Sequence, residues 1–400
     1  MTDHSGRGAA AARGSRRAVV VFVDDNTWEA FSALAGALRC RGVGVRRVTV
    51  PPRDLAHRAM ALLERLVYGR TFSLVQPSRG AGAPATVDTA AVMAVLGHDT
   101  IDLQAQDDLA YALLDTPDHD HSAMNRGGTR DTTRPLYDKA VMQALAESIG
   151  VAVPKLYTDA DEIEYPVVVK APIGFGGNRV RVVRDAHELA ATRAELKAMI
   201  GRDPLIQAYH NGGQINVGAV AANGKVLVAV AYLTRPSAND PLGPPSACVA
   251  LDRADVICDS AALLGTLSYT GFACLNFITD EQDQPHLIDF NPRAFGSWPA
   301  LQSLGADFLG AYLHAIGLGP PPQTAQLQYG VIQDLPRFPA SAQSRSELKH
   351  WRRTSTALIK QRGHLLGWRW TTLSTAKIIA TTVRETIQLS GGITRRSAQP

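Results

Sequence analysis

The segment from Phe272 to Arg293, FACLNFITDEQDQPHLIDFNPR, constrains the fold more than any other part of the chain. Two apolar runs of strand length flank the polar turn DEQDQ, the pattern of an antiparallel hairpin. In the second run, successive side chains point to opposite faces, so Asp289 and Asn291 share one face. If the strand persists, Arg293 joins them, while Ile288 and Phe290 point the other way. Asn276, in the first run, lies across from this region. Three oxygen-bearing side chains on one sheet face suit a hard cation such as Mg²⁺, with waters and phosphate oxygens completing its shell. The alternative is the polar, solvent-facing side of an edge hairpin.

Three further clusters carry candidate chemistry. Lys170 closes the β-branched run VVVK and is followed by PIGFGGN, in which Gly174, Gly176 and Gly177 let backbone amides approach phosphate oxygens. No GK[ST] follows, so this is not a P-loop, and the next element reads as a strand rather than a helix, which makes it a poor dinucleotide fingerprint. A glycine-rich hairpin without a ligand is the competing reading. Lys139, in LYDKAVM, stands at the head of a helix, where the dipole disfavours a cation. A nearby anion would account for it, and so would simple solvation. Arg235, at the end of a strand, is placed to meet a phosphate or to be an ordinary surface arginine. His119 and His121 show no metal-ligand spacing, no GxSxG is present, and none of the four cysteines has a catalytic context. Covalent-nucleophile chemistry is not expected.

The rest of the chain surrounds these clusters with alternating strand and helix patterns. Residues 18–50 read as strand, helix, strand, the opening of an α/β domain. The stretch DTPDHDHSAMNRGGTRDTTRP is nearly devoid of apolar residues and predicts a boundary or mobile loop over 115–135. Beyond it, DKAVMQALAESIGV reads as a helix ending at Gly150, and DAHELAATRAELKAMIG as a helix started by Asp185. YPVVVKA, RVRVV, PLIQAYH and INVGAVAANGKVLVAVAYLT supply strands, the last a pair joined at AANGK. With 45% hydrophobic and 20% charged residues in 400, the chain reads as globular. Its cysteines form no CxxC pair, and a reducing, cytoplasmic setting is expected. The apolar run AVVVFV is too short for a signal peptide and ends in two aspartates.

The order of these pieces resembles the ATP-grasp superfamily, specifically its carboxylate-amine ligases and the carboligases related to carbamoyl-phosphate synthetase. The pieces are DK heading a helix, a strand-final lysine, a glycine loop, LIQAYHNGGQ, a strand pair, and NFIT leading to DFNPR. The resemblance covers about residues 130 to 320. It implies an α/β (α+β) ATP-grasp fold over 131–320, with a small lid lobe at about 150–208. A Rossmann-like pre-ATP-grasp domain would precede it over 18–130, after a flexible 1–17, and a basic helical extension would follow over 321–400. It also implies that Lys139 and Lys170 hold ATP phosphates beneath the loop of Gly174, Gly176 and Gly177. The backbone of Gln207, Ala208 and Tyr209 would pair with adenine, and Gln214 would meet the ribose where relatives often have Glu. Asn276, Asp289 and Asn291 match the Mg²⁺ (or Mn²⁺) triad, although many relatives carry two acids and one amide there. Arg293 matches the arginine after N-P, and AFGSWPALQSLGADF and GPPSA also look like the carboligase branch.

The implied activity is phosphoryl transfer from ATP to a carboxylate, giving an acyl phosphate that an amine or other nucleophile attacks, with release of ADP and phosphate. A non-catalytic or regulatory ATP-binding protein of the same fold is the alternative, because Gln207, Gln214 and Asn276 replace usual acids. A biotin-dependent carboxylase is less favoured, since the chain has no MKM segment. The substrates would be a small-molecule carboxylate and an amine, and a homo-oligomer is expected. Net charge is +4, yet residues 341–400 hold eleven Lys or Arg against Glu347 and Glu385, which leaves the remainder at −5. That tail, with Trp351, Trp368 and Trp370, reads either as a helix docked on the body or as a peripheral membrane contact. Nucleic-acid binding is not expected, because no binding module accompanies the basic residues.

Overall fold

The computed structural model describes residues 18–24, 29–49, 70–73, 89–116, 122–124, 126–159, 161–174, 179–235, 247–323 and 326–334. Gly176, Gly177, His119, His121, Gly243 to Ser246, residues 1–17 and the basic tail lie outside them.

The chain opens with β1 (Val19–Asp24), α1 (Glu29–Cys40), β2 (Gly44–Thr49), β3 (Arg70–Ser73), α2 (Thr89–Val95), β4 (Thr100–Ala105) and α3 (Asp107–Asp115). The four strands form a parallel sheet in the order β3-β2-β1-β4. β1 is buried along its whole length because it feeds both faces of the sheet. Val20 and Phe22 pack with Phe31, Leu34 and Leu38 of α1, whereas Val19, Val21 and Val23 join a second core on the other side.

The polar stretch expected as a boundary or mobile loop is, in its described part, docked. A 3₁₀ turn (Ser122–Met124), α4 (Arg130–Thr133) with Thr129 as its cap, and a second 3₁₀ turn (Arg134–Tyr137) carry it across the body. Met124, Arg126, Thr133, Leu136 and Tyr137 are buried. Composition misled because the anchor is an ion pair, Arg126 to Asp102 at 2.8 Å, rather than an apolar run.

α5 (Lys139–Ser148) starts at Asp138, whose side chain accepts from the Ala140 and Val141 amides, and it stops before Gly150 at φ +83°. A small antiparallel sheet follows, ordered β5-β8-β6-β7, from β5 (Leu156–Tyr157), β6 (Val167–Lys170), β7 (Val180–Val183) and β8 (Leu205–Ala208). α6 (Ala186–Ile200), capped by Asp185 and by Gly201 in the left-handed region, covers this sheet. Leu189 and Leu196 meet Val167, Val169, Val183 and Ile206 in a separate core.

The largest sheet is antiparallel, in the order β13-β12-β9-β10-β11-β14. Its strands are β9 (Gln214–Ala222), β10 (Lys225–Arg235), β11 (Ala247–Leu251), β12 (Gly271–Thr279), β13 (Pro285–Asn291) and β14 (Ile332–Asp334). Asn223 and Gly224 both have positive φ, as a two-residue hairpin loop requires. α7 (Ala254–Thr266) packs on one face of this sheet, and α8 (Trp298–Ser303) and α9 (Phe308–Ala315) on the other. The α8 and α9 face shares its core with α1, and the Trp298 indole N–H donates to the Ala30 carbonyl at 3.3 Å. No helix among the described residues is long and apolar enough to cross a membrane.

Candidate active site

Asn276, Asp289 and Asn291 come together on one face, and two local features refine how. Asn276 pairs with Asp289 but Phe277 pairs with Leu287, so Ile288 is an extra residue, a β-bulge. The bulge breaks the simple alternation expected here: Leu287 and Phe290 are the buried pair, and Ile288 is half-buried. It also turns the Ile288 carbonyl out of the ladder, where it accepts from Lys170 Nζ at 2.8 Å and from Gln143 Nε2 at 3.3 Å. The second feature is that β13 ends at Asn291, so Arg293 lies beyond the strand in the following turn. It rejoins the face by its side chain, Nη2 donating to Asn291 Oδ1 at 2.8 Å.

From Arg293 a row of amides crosses three strands. Asn291 Nδ2 donates to Asn276 Oδ1 at 2.9 Å, Asn276 Nδ2 makes a short hydrogen bond to Asn216 Oδ1, and Gln214 Nε2 donates to the same Asn216 oxygen at 3.1 Å. Asn216 is buried and sits directly across β9–β12 from Asn276. Sequence reasoning passed over it, although Gln214, Asn216 and Gly218 at alternate positions in β9 carry the signal. At the other end of the row, both carboxylate oxygens of Asp107 accept from Arg293 Nε and Nη2, at 2.8 Å each. Burial works against the Arg293 charge, but the Asp107 carboxylate outweighs it and holds the guanidinium above its ordinary pKa.

Both candidate lysines reach this edge from other elements. Lys139, on the first turn of α5, places Nζ 3.0 Å from Asp289 Oδ1 and 2.7 Å from the Gly174 carbonyl oxygen. Its backbone N–H donates to the Pro172 carbonyl at 2.9 Å, which ties the loop after β6 to the helix head. Gly174 has φ +126°, a conformation that side-chain-bearing residues avoid. Lys170 is buried, and desolvation lowers its pKa to about 7, with Lys139 adding to the effect and Asp289 opposing it.

Gln207 lies opposite Val168 in the β6–β8 pairing, on the Lys170 side of the small sheet, and its Nε2 has no hydrogen-bond partner among the described residues. The Ala208 amide donates to the Lys155 carbonyl at 2.9 Å, and Tyr209 is exposed with its hydroxyl donating to Asn211 at 3.1 Å. Arg235 ends β10, paired with Ala247 of β11. Cys274, beneath the row, is buried and its thiol is pushed up to about 11, which leaves no thiolate to act as a nucleophile.

The donor set is chemically coherent: one carboxylate and several amides from adjacent strands, bordered by two lysines and an arginine. It offers hard oxygen atoms and positive charge to a polyanion, and no nucleophile.

Residues 132–203 match the family described as the carbamoyl-phosphate synthase L chain, ATP binding domain. The chain also superposes on the biotin carboxylase domain dimer of Hydrogenobacter thermophilus 2-oxoglutarate carboxylase, solved with MgADP, ADP and bicarbonate. The TM-score is 0.61 at 16% identity, over 78% of this chain and 73% of that one. The chain has the ATP-grasp fold. Two further ATP-grasp structures resemble it, an L-amino acid ligase from Bacillus licheniformis (TM-score 0.54, 15% identity, 76% and 75% covered) and the ADP complex of N5-carboxyaminoimidazole synthetase from Staphylococcus aureus (0.55, 12%, 78% and 80%). At such identities the likeness establishes the fold. Among curated proteins, the 5-formaminoimidazole-4-carboxamide-1-(beta)-D-ribofuranosyl 5'-monophosphate synthetase of Pyrobaculum aerophilum is 35% identical over 82 residues. That match is 20% of this chain and 23% of its relative.

Proposed function

We propose that this chain is an ATP-dependent ligase that activates a carboxylate as an acyl phosphate for attack by an amine or another nucleophile, releasing ADP and phosphate. The observation that carries the reading is the convergence of Lys139 and Lys170, from a helix head and a strand end, on the Asp289 edge of the β12–β13 hairpin. Two lysines aimed at one edge suit a triphosphate, and the superposed proteins, which include a ligase and a synthetase in complex with ADP, support the same class.

In this reading the body of about 131–320 binds ATP, with the lobe of about 150–208 as a lid. The segment 18–130, whose parallel sheet presents its carboxyl end to Arg293, acts as a Rossmann-like domain for the second substrate. Lys139 and Lys170 hold the phosphates, and Gln207 to Tyr209 together with Gln214 hold the nucleoside. Arg293 offsets charge on the transferring phosphoryl group, and the loop containing Gly174 excludes water from the intermediate. Asp289, Asn276 and Asn291 fit a Mg²⁺ ion, because the face offers hard oxygens and the single carboxylate matches a cation that takes few protein ligands and relies on substrate phosphates. Bound there, the ion would neutralise the phosphates and orient the γ-phosphoryl group.

The test is a screen of carboxylate and amine pairs with ATP and Mg²⁺, reading ADP, with hydroxylamine present in a parallel set. Carboxylate-dependent ADP release and a trapped hydroxamate are expected. Tight ATP binding without ADP release for any pair would favour a regulatory nucleotide-binding role.

A further inference from the structure

The basic groups around the amide row outnumber the carboxylate that the row itself supplies. Lys139, Lys170 and Arg293 bring three basic groups to a face whose own carboxylate is Asp289. Asp107 supplies a second. It opens α3, two residues past the carboxyl end of β4, and reaches 186 positions along the chain to grip Arg293 by two parallel hydrogen bonds of 2.8 Å. Both side chains are about 95% enclosed. A fork of this kind fixes the plane of the guanidinium as well as its position.

Two consequences follow from the geometry. An arginine has no acceptor, so the Nη2 hydrogen left over from Asp107 obliges Asn291 to turn Oδ1 toward Arg293 and Nδ2 toward Asn276. Asn276 in turn points its Nδ2 at Asn216. The orientation of the whole row is therefore set from its Asp107 end. The second consequence concerns competition. A buried guanidinium deprived of its carboxylate re-pairs with whatever anion is in reach. Asn291 stands between Arg293 and Asp289, its Nδ2 3.4 Å from Asp289 Oδ2, which makes Asp289 the next carboxylate in line.

We propose that Asp107 is a positioning residue of the nucleotide site: by holding Arg293 it keeps Asp289 available to the cation–nucleotide complex. The inference rests on the ATP-site reading given above. It assigns a part in metal–nucleotide binding to a side chain at the head of α3, outside the amide row.

The experiment is calorimetric titration of ADP into the full-length protein, in MgCl₂ and in EDTA, for wild type, Asp107→Asn and Asp107→Glu. The readout is the factor by which Mg²⁺ tightens ADP within each protein, a ratio that a change in folded fraction does not move. Asp107→Asn keeps the shape but turns an N–H toward Arg293, and it is expected to lose about 10- to 100-fold of that factor, as is typical when a group supporting a metal ligand is removed. Asp107→Glu keeps the charge and should retain more of the factor than Asn. A folded Asp107→Asn with the wild-type Mg²⁺ factor overturns the inference. Should Asp107→Asn not fold, Asp107→Glu decides, since displacing the carboxylate by a methylene must still lower the factor. Wild-type protein that binds ADP without any Mg²⁺ dependence also overturns it, whereas wild type that binds no ADP at all removes the nucleotide-site reading beneath it.

Discussion

Lys139 Nζ stands 3.0 Å from Asp289 Oδ1, an ion pair between the first turn of α5 and the edge strand β13. Asp289 is the carboxylate of the amide row, so it is the group whose loss separates chemistry from folding most cleanly. The two side chains keep 12% and 23% of their exposure, and breaking a pair that lies between the exposed and the buried case costs about 1 to 2 kcal/mol. Asp289→Asn should therefore melt within a few degrees of wild type. ADP release should fall by about 100-fold or more, because a preorganised charge at the phosphates is gone. Melting curves beside an ADP-coupled assay check this, and retained turnover would take Asp289 out of the site.

Lys170 makes the site a proton acceptor. Burial brings its pKa down to about 7 from an ordinary 10.5, so near pH 8 the nucleotide-free protein holds it mostly neutral. Phosphates arriving beside it favour the charged form. ADP binding at pH 8 should then take up close to one proton, measured as the dependence of the binding enthalpy on buffer ionisation enthalpy, and Lys170→Met should abolish that uptake. The same shift has a sign in stability. Between about pH 7 and 10.5 the unfolded chain binds the extra proton, so the nucleotide-free fold gains stability as pH rises through that window. Lys170→Met should flatten this rise and be the more stable protein at pH 7. A binding enthalpy independent of buffer would show that Lys170 is already charged.

Much of this site was legible from side-chain period alone. Asp289 and Asn291 two apart on a strand, with Asn276 across the turn, converge because a strand alternates its faces and the hairpin fixes its partner. Helix ends were equally legible at Gly150 and Asp185, which act through backbone groups only a few positions away. What escaped was tertiary or subtle. The bulge at Ile288 leaves no mark in composition, yet it creates the carbonyl that receives Lys170. Asp107 and Arg293 are 186 positions apart, and no periodicity links them. Arg126 hid in a stretch that looked solvated because its burial is driven by a charge partner rather than by apolar neighbours.

Gly218 offers a test of how the turn carrying Arg293 is seated. It lies in β9 between Val230 and Cys274, and a Cβ there would fall 2.2 Å from the Phe295 ring. Phe295 follows Arg293 by two residues and packs against Tyr232, Phe272 and Phe308 with ring centroids 5.5 to 6.2 Å apart. The bare strand surface at Gly218 is what lets that ring lie down. Gly218→Ala should cost about 1 to 3 kcal/mol through overpacking, read as a lower urea midpoint. Gly213→Ala, where a Cβ meets nothing within 4 Å, is the control and should be nearly neutral. Equal midpoints for the two would mean that Phe295 moves aside freely.

The Arg126–Asp102 pair should prove a structural anchor. Arg126 Nη2 donates to Asp102 Oδ1 at 2.8 Å and to the Leu103 carbonyl at 2.6 Å, and the Thr270 amide donates to the Arg126 carbonyl at 2.7 Å. One residue, by its side chain and its backbone carbonyl, thus links β4 to the segment that leads into β12. Asp102 is further bound by the Tyr312 hydroxyl, in a short hydrogen bond, and by Gln104 Nε2 at 2.7 Å. Arg126→Met leaves a buried carboxylate without its cation and should cost about 3 to 5 kcal/mol. Asp102→Asn combined with Arg126→Met removes the stranded charge, so the double variant should be more stable than the sum of the single losses predicts. The ADP affinity of each folded variant should match wild type, because neither residue touches the amide row. A strictly additive double variant would mean that the two groups do not depend on one another for burial.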